Sequence, residues 1–146
     1  MSRSAPTRRT LALARCQQRI RGKVAGVLLA TILVEDSKTI RDNLIAALLE
    51  FADVEVLATA ETASEAILVA ARYAERWNLM ILDLFLKEGS GLTVLRAFKD
   101  RRSDQRIVVL TNYATPDIRS RCATAGASAV FDKSTELEAF FDYLSN

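Results

Sequence analysis

The sequence of 146 residues contains no histidine. A Ser-His catalytic pair, a histidine general base and histidine-ligated zinc are therefore excluded for this chain by itself. Cysteine is also scarce, because Cys16 and Cys122 are the only two and their spacing matches no metal motif or disulfide framework. Two separate thiols are typical of a protein that stays reduced, and they predict a location in the cytoplasm.

Long hydrophobic runs are missing as well. The apolar run at residues 24–34 is too short to cross a membrane, and it leads into Glu35-Asp36 instead of a small-residue cleavage site. We therefore predict no membrane association. Half of the residues are hydrophobic and 26% are charged, which is the balance of a globular domain with one buried core.

Acidic residues are absent from the first part of the chain. Residues 1–28 carry seven basic residues and no acidic one, which leaves 13 basic and 18 acidic residues, a net charge of −5, for the remainder. We interpret residues 1–27 as a basic N-terminal extension that is disordered or loosely helical, and residues 28–146 as the folded domain. No aromatic residue lies among the arginines of the extension to stack on bases, so the composition argues against nucleic-acid binding.

Apolar runs alternate with helical patterns from residue 28 onward. The runs predict strands at residues 28–34, 54–56, 79–82, 107–110 and 127–131. A helical pattern follows each of them, and five strands in strict alternation with five helices require a parallel sheet. The sequence therefore predicts an α/β fold: a doubly wound five-stranded parallel sheet of flavodoxin-like order 2-1-3-4-5, with helices on both faces.

Polar residues follow four of the predicted strands at the point where each strand ends. Glu35 and Asp36 follow the first strand, Asp83 the third, Thr111 the fourth and Lys133 the fifth. Because the carboxyl ends of parallel strands meet at one edge of an open sheet, we expect these side chains to converge on one crevice.

Three carboxylates in one crevice repel one another unless a cation is present. Mg²⁺ prefers oxygen ligands from one or two carboxylates, water and a phosphate group. We predict that Asp36 and Asp83 bind Mg²⁺ directly, that Glu35 does so directly or through water, and that a backbone carbonyl near Phe85 completes the protein ligands.

A carboxylate can also attack phosphorus to form an aspartyl phosphate, and Asp83 is the predicted phosphoacceptor. The transferred group carries its charge on three oxygens. The ammonium of Lys133 and the hydroxyl of Thr111 are predicted to bind two of these oxygens, and Mg²⁺ the third.

These motifs, taken in order, resemble the receiver domain of bacterial response regulators. The resemblance covers about residues 29–146 and rests on Glu35-Asp36, Leu82-Asp83-Leu84, Leu110-Thr111 and Phe131-Asp132-Lys133, with Gly91 and Ala125-Gly126-Ala127 as further matches. It implies a two-component signalling protein that a histidine kinase or His-phosphotransfer protein phosphorylates on Asp83 with Mg²⁺. We expect at most self-phosphorylation and slow dephosphorylation, and not the activity of a classical enzyme.

The resemblance also implies how such a protein signals. Phosphorylation would alter the face formed by helix 4, strand 5 and helix 5, which is where a downstream protein or a second copy would bind. No output domain follows Asn146, so we expect a single-domain regulator.

Several positions depart from the residues usual in that family, and three of them bear on whether the domain switches. Val130 replaces an aromatic switch residue, Asn112 a small residue, and Ser134 a proline. An alternative reading is therefore a receiver-like interaction module that no longer switches by phosphorylation. Phe85 and Tyr113, two residues past the phosphoacceptor and the threonine, predict slow loss of the phosphoryl group because they hinder water.

Two other functions fit less well. A phosphohydrolase with an aspartyl-phosphate intermediate commonly needs a second acid two residues after its nucleophile, where this chain has Phe85. A flavin carrier needs a phosphate-binding turn after the first strand, and the acidic turn Glu35-Asp36-Ser37 would repel phosphate in the absence of a metal.

Overall fold

The structure, a computed structural model, describes residues 28–146, and the predicted basic extension at residues 1–27 lies outside the described residues. Five strands alternate with five helices over this range: β1 Leu29–Val34, α1 Lys38–Phe51, β2 Val54–Ala60, α2 Ala63–Arg72, β3 Leu79–Leu82, α3 Gly91–Ala97, β4 Arg106–Thr111, α4 Pro116–Ala125, β5 Ala129–Asp132 and α5 Leu137–Leu144.

All five strands form one sheet in the order β2-β1-β3-β4-β5, and every neighbouring pair is parallel. The predicted doubly wound, flavodoxin-like order is confirmed. Strand β3 lies in the middle and all four of its residues are buried, as expected of a strand covered by helices on both faces. Strands β2 and β5 form the two edges and are only partly buried.

Side chains that alternate along the inner strands build a core on each face of the sheet. Ile32, Met80 and Val109 contribute to the core beneath helices α2, α3 and α4. Leu33 and Ile81 contribute to the core beneath α1 and α5. Burial on both faces fixes the register of these strands and therefore fixes where each one ends.

Short, capped turns connect the strand ends to the helices. Only residues 35–37 separate β1 from α1, and the Ser37 hydroxyl accepts a hydrogen bond of 3.3 Å from the N–H of Ile40 to cap the helix. Thr62, Ser90 and Thr115 cap the three following helices in the same way. Across residues 28–146, no helix has the length and apolar character needed to cross a membrane.

Candidate functional site

The ends of the strands bring the predicted site residues to one edge of the sheet. The N–H of Asp83 donates a hydrogen bond of 3.0 Å to the carbonyl of Val34, and the N–H of Lys133 donates one of 2.9 Å to that of Thr111. These bonds continue the ladder past the strands, so the backbone of both residues is fixed by its neighbours.

Glu35, Asp36 and Asp83 form a compact group that we call the acidic cluster. One carboxylate oxygen from each residue can be chosen so that the three oxygens lie within 4.8 Å of one another. Lys133 extends its ammonium into the group, with Nζ 2.5 Å from Oε1 of Glu35 and 2.9 Å from Oδ2 of Asp83. Residues as far apart in the sequence as Glu35 and Lys133 therefore share one pocket, as predicted.

The charges of this pocket are largely withdrawn from solvent. The side chain of Glu35 is 2% exposed, and those of Asp83 and Lys133 are 11% and 12% exposed. Burial, together with the hydrogen bond and charge of Glu35, raises the pKa of the Asp36 carboxyl above its ordinary value of 3.8. Three carboxylates against one ammonium leave an excess of negative charge that a divalent cation would relieve.

The pKa of Lys133 reflects the same grouping. Burial favours its neutral form, but hydrogen bonds to Glu35 and Asp83 and the charges of both carboxylates outweigh burial. The pKa of the ammonium is therefore raised above its ordinary value of 10.5. Because the ammonium has three donors and two are used, one remains available for a further acceptor.

Arg41 supports the acidic cluster from helix α1 and was not predicted as a site residue. Its guanidinium donates a hydrogen bond of 2.9 Å to the backbone carbonyl of Glu35 and pairs with Glu61 at 3.1 Å. The only sequence signal was its position six residues after Glu35, near the start of a helix that begins beside the site. Arg41 thus fixes the backbone of the turn that carries Glu35 and Asp36.

The loop that follows Asp83 folds back tightly on the strand. Phe85 and Ser90 form an antiparallel bridge, and the N–H of Gly91 donates a hydrogen bond of 3.0 Å to the carbonyl of Leu84. A Cβ atom on Gly91 would lie 2.6 Å from the carbonyl oxygen of Asp83 and 2.8 Å from Cα of Leu84. The backbone beside the predicted phosphoacceptor therefore leaves no room for a side chain.

Gly91→Ala is accordingly expected to lower the free energy of unfolding by about 2 kcal/mol, because backbone atoms must move to admit the methyl group. Urea unfolding measures the change. Thr93→Ala, an exposed position in the same helix, is the control and should alter stability by less than about 0.5 kcal/mol. Equal midpoints for Gly91→Ala and the wild type would show that the loop gives way freely.

Thr111 lies at the end of β4 and is fully buried. Its hydroxyl oxygen accepts a hydrogen bond of 3.3 Å from the N–H of Tyr113, which leaves the hydroxyl proton available to an acceptor. Within residues 28–146, no side-chain hydrogen bond joins Thr111 to the acidic cluster. The structure thus places Thr111 at the predicted strand end without a direct link to Asp83.

Phe85 and Tyr113 meet outside the pocket. Their ring centroids are 5.0 Å apart and nearly perpendicular, and the two residues are 53% and 61% exposed. Each follows a predicted site residue, Asp83 or Thr111, by two positions. Exposed aromatic rings in mutual contact form an apolar patch on the two loops that flank the cluster.

A polar turn after β5 sets the position of Lys133. Oδ1 of Asp132 accepts hydrogen bonds from the N–H groups of Ser134 and Thr135 at 2.8 and 3.2 Å, and from the Ser134 hydroxyl at 2.5 Å. These bonds lower the pKa of Asp132. A proline at position 134 would have no N–H for this turn, so the departure at Ser134 is matched by its own hydrogen bonding.

Val130 and Phe131 pack on opposite faces of the sheet, as predicted from strand alternation. Val130 lies against the core under α2, α3 and α4, and Phe131 against the core under α1 and α5. The ring of Phe131 packs edge-on against Phe140 and at a tilt against Tyr143, both of α5. Its ring therefore does not replace an aromatic residue on the face of Val130.

Arg119 of α4 connects the helix to β5 and to the turn before α5. It donates hydrogen bonds to the carbonyls of Ala114 and Val130 at 3.0 and 3.1 Å and pairs with Glu136. Glu136 also accepts a hydrogen bond of 3.0 Å from the N–H of Asp132. This network joins three elements on the face where the aromatic switch residue is missing.

An apolar groove of about 300 Å³ adjoins the site between α1 and α5. Ile40 and Leu44 of α1, Leu137 and Phe141 of α5, and Lys133 of the acidic pocket contribute to its wall. The groove therefore opens beside the residue whose ammonium contacts Asp83.

A family model for the response regulator receiver domain matches residues 31–145, and the chain therefore belongs to this family. A DNA-binding transcriptional activator of Mycobacterium tuberculosis, DevR/DosR, is 31% identical to it over 101 residues, which are 69% of this chain and 46% of that protein. The chain thus spans about half the length of this curated relative.

Solved structures give the same result for the fold. A chain of the CheX-CheY-BeF3-Mg complex from Borrelia burgdorferi aligns over 86% of this chain and 97% of its own length, at 17% identity and a TM-score of 0.72. The BeF3-activated receiver domain of RstA from Klebsiella pneumoniae aligns over 79% of this chain and 94% of its own length, at 28% identity and a TM-score of 0.67.

Proposed function

We propose that this domain accepts a phosphoryl group on Asp83 from a histidine kinase or His-phosphotransfer protein and signals through protein contacts. The observation that carries the proposal is the ammonium of Lys133, which lies 2.9 Å from the carboxylate of Asp83 within a cluster of three acids. Membership of the receiver family places the chain in two-component signalling.

Each residue of the pocket has a separate role in phosphoryl transfer. A carboxylate oxygen of Asp83 forms the new bond to phosphorus while the bond between phosphorus and the donor breaks. The free donor of the Lys133 ammonium binds one phosphoryl oxygen, and the hydroxyl proton of Thr111 is available to another. Because these groups are fixed by neighbouring strands, they need little reorganisation during the reaction.

The acidic cluster fits a hard divalent cation. Its three carboxylates share one crevice, and burial together with Glu35 raises the pKa of Asp36, as expected where a second positive charge is needed. Asp36 and Asp83 would hold Mg²⁺ together with Glu35 and the carbonyl of Phe85. When bound, Mg²⁺ neutralises part of the charge on the transferred phosphoryl group.

Metal dependence gives a stability prediction for Asp36. Mg²⁺ at saturating concentration should raise the melting temperature of the wild type, because a ligand that binds only the folded state stabilises it. Asp36→Asn should lose most of this rise, whereas Asp53→Asn, an exposed position on another turn, should keep it. Differential scanning fluorimetry with and without EDTA makes the comparison.

The pH dependence in EDTA has a definite sign. The pKa of Asp36 is higher in the folded state than its ordinary value of 3.8. The folded protein therefore loses stability as the pH rises above 3.8 and the carboxyl ionises. Asp36→Asn removes this group and should therefore be more stable than the wild type at neutral pH without metal. A less stable Asp36→Asn under these conditions would contradict the account of the cluster.

The groove between α1 and α5 offers a docking place for the phosphodonor protein. Its apolar wall adjoins Lys133, so a partner seated there would have its phosphohistidine near Asp83. A downstream protein or a second copy of the chain would use the face of α4, β5 and α5.

The proposal is tested by incubating the protein with a small acyl phosphate and recording its intact mass. The wild type should gain one phosphoryl group in Mg²⁺ and none in EDTA. The second candidate, an interaction module that does not switch, is favoured by Val130 at the position of the aromatic switch residue. It predicts the same partner affinity with and without the phosphodonor.

A further inference from the structure

A second cavity lies at the N-terminal ends of strands β4 and β5, opposite the strand ends that carry the acidic cluster. It measures about 230 Å³ and opens between the α3–β4 loop and the turn from α4 to β5. Lys99, Arg101, Arg102, Arg106 and Ser128 line this basic cavity together with three uncharged residues, and no aspartate or glutamate lines it. Four of the 13 basic residues of an acidic domain thus surround one depression.

Most of this positive charge has no carboxylate partner. Arg102 pairs with Asp104 and Glu75 at 3.1 and 3.5 Å. Lys99, Arg101 and Arg106 form no ion pair within residues 28–146. Concentrated charge of one sign in a concave surface strengthens the local field and attracts a counter-ion.

Arg101 is held rigidly at the wall of the cavity. Its guanidinium donates hydrogen bonds of 2.7 to 3.1 Å to the carbonyls of Gln105, Phe98 and Gly126 and to the hydroxyl oxygen of Ser128. All four acceptors are uncharged, so the cation is fixed without being neutralised. Burial lowers the pKa of this guanidinium. An anion in the cavity would supply the negative charge that no carboxylate provides.

Other donors around the cavity are unused. The hydroxyl oxygen of Ser128 accepts hydrogen bonds from the N–H of Ile107 and from Arg101, so its own proton is directed to another acceptor. The Arg106 guanidinium lies 5.2 Å from the ring centroid of Tyr143 and makes no hydrogen bond with residues 28–146. The Lys99 ammonium likewise makes none in this range.

We propose that the basic cavity binds a phosphate group, either inorganic phosphate or the phosphate of a small monoester. An ammonium, an arginine fork and a serine hydroxyl around one depression suit the several oxygens of a tetrahedral dianion better than the two of a carboxylate. The cavity is smaller than the 300–1,000 Å³ usual for drug-sized ligands. It therefore suits a small anion with accompanying water.

This site is separate from the proposed phosphorylation site. The basic cavity lies at the N-terminal end of strand β4 and the acidic cluster at its C-terminal end. The six residues of β4 span about 17 Å, which is five steps of roughly 3.3 Å. Asp83→Asn should consequently leave phosphate binding in the basic cavity unchanged. The two proposals, phosphorylation of Asp83 and phosphate binding in this cavity, can therefore fail independently of each other.

The test uses the full chain in EDTA, titrated with sodium phosphate while backbone amide NMR signals are followed. Sodium chloride at equal ionic strength is the reference. Signals of Arg106, Gly126 and Ser128 should shift and saturate with a dissociation constant on the order of 1 mM. A parallel titration with glycerol 3-phosphate distinguishes the sources: tighter binding identifies a monoester, and equal or weaker binding identifies free phosphate.

Lys99→Gln and Arg106→Gln should each weaken binding by about fivefold. Arg72→Gln is the matched control, since Arg72 is exposed on α2, makes no ion pair in residues 28–146 and carries the same charge. If all three variants weaken binding equally, the loss of affinity reflects the net charge of the protein and not this cavity, and the proposal is overturned. Shifts that chloride reproduces, or that occur only at Thr111 and Lys133 or in residues 1–27, would overturn it as well.

Discussion

Asp83→Asn is expected to gain no phosphoryl group under conditions that label the wild type to completion. The amide lacks the anionic oxygen that attacks phosphorus, and the variant also loses the 2.9 Å ion pair with Lys133. The expected effect is therefore complete loss of incorporation and not a slower rate. Intact mass measured over time with Mg²⁺ and a small acyl phosphate gives the result.

The control for this variant is Asp53→Asn, which makes the same chemical change on an exposed turn. It should incorporate phosphoryl groups as the wild type does. Circular dichroism of Asp83→Asn should match the wild type, because removing one of three clustered carboxylates relieves repulsion. Incorporation into folded Asp83→Asn would place the acceptor elsewhere.

Phe85→Asn is expected to shorten the lifetime of the phosphorylated protein by about five- to tenfold, which corresponds to about 1 kcal/mol in the barrier to hydrolysis. Phe85 is in ring contact with Tyr113, and both lie two residues from predicted phosphate-binding residues. An apolar patch on the two loops that flank the cluster is expected to hinder water. An asparagine at position 85 would remove the ring and could hold a water molecule. Loss of the phosphoryl mass after removal of the donor gives the rate.

Leu68→Asn provides a comparison, because it replaces an apolar residue of similar exposure, 62%, on helix α2. Its phosphorylated form should decay like the wild type. Tyr113→Asn removes the other ring and should accelerate decay in the same direction as Phe85→Asn. Unchanged decay in both loop variants would show that the aromatic pair does not control water at the site.

Much of the fold could be predicted from the sequence because buried parallel strands have an unambiguous pattern. Four consecutive apolar residues before Asp83 predicted β3, and the structure buries all four. The edge strands were predicted less well. Strand β5 begins at Ala129 instead of residue 127, because the N–H of Ala127 closes the end of α4 on the carbonyl of Cys122.

Strand β2 was also longer than predicted. It extends to Ala60, where only its alternating Val54 and Val56 were recognised from the sequence. Its pairing with β1 shifts register between Thr31 and Ile32. Such an irregularity depends on contacts between strands and leaves no local pattern in either of them.

The convergence of the site followed from topology, but its internal contacts did not. Strand order alone brought Glu35, Asp83 and Lys133 to one edge, whereas the double contact of Lys133 with both acids depends on side-chain geometry. The network of Arg119 with Val130 and Glu136 was missed for the same reason. Polar contacts between residues far apart in the sequence have no characteristic spacing from which they could be predicted.

The central claim is that a carboxylate of this pocket, at position 83, carries the phosphoryl group. Reduction with borohydride tests it most directly, because hydride converts an acyl phosphate to an alcohol and leaves a free carboxylate and a phosphate ester unchanged. After phosphorylation in Mg²⁺, peptide mapping should find the alcohol at residue 83 in the wild type and nowhere in unphosphorylated protein. Phosphoryl incorporation without reduction at residue 83, or with reduction at Asp36 instead, would contradict the account.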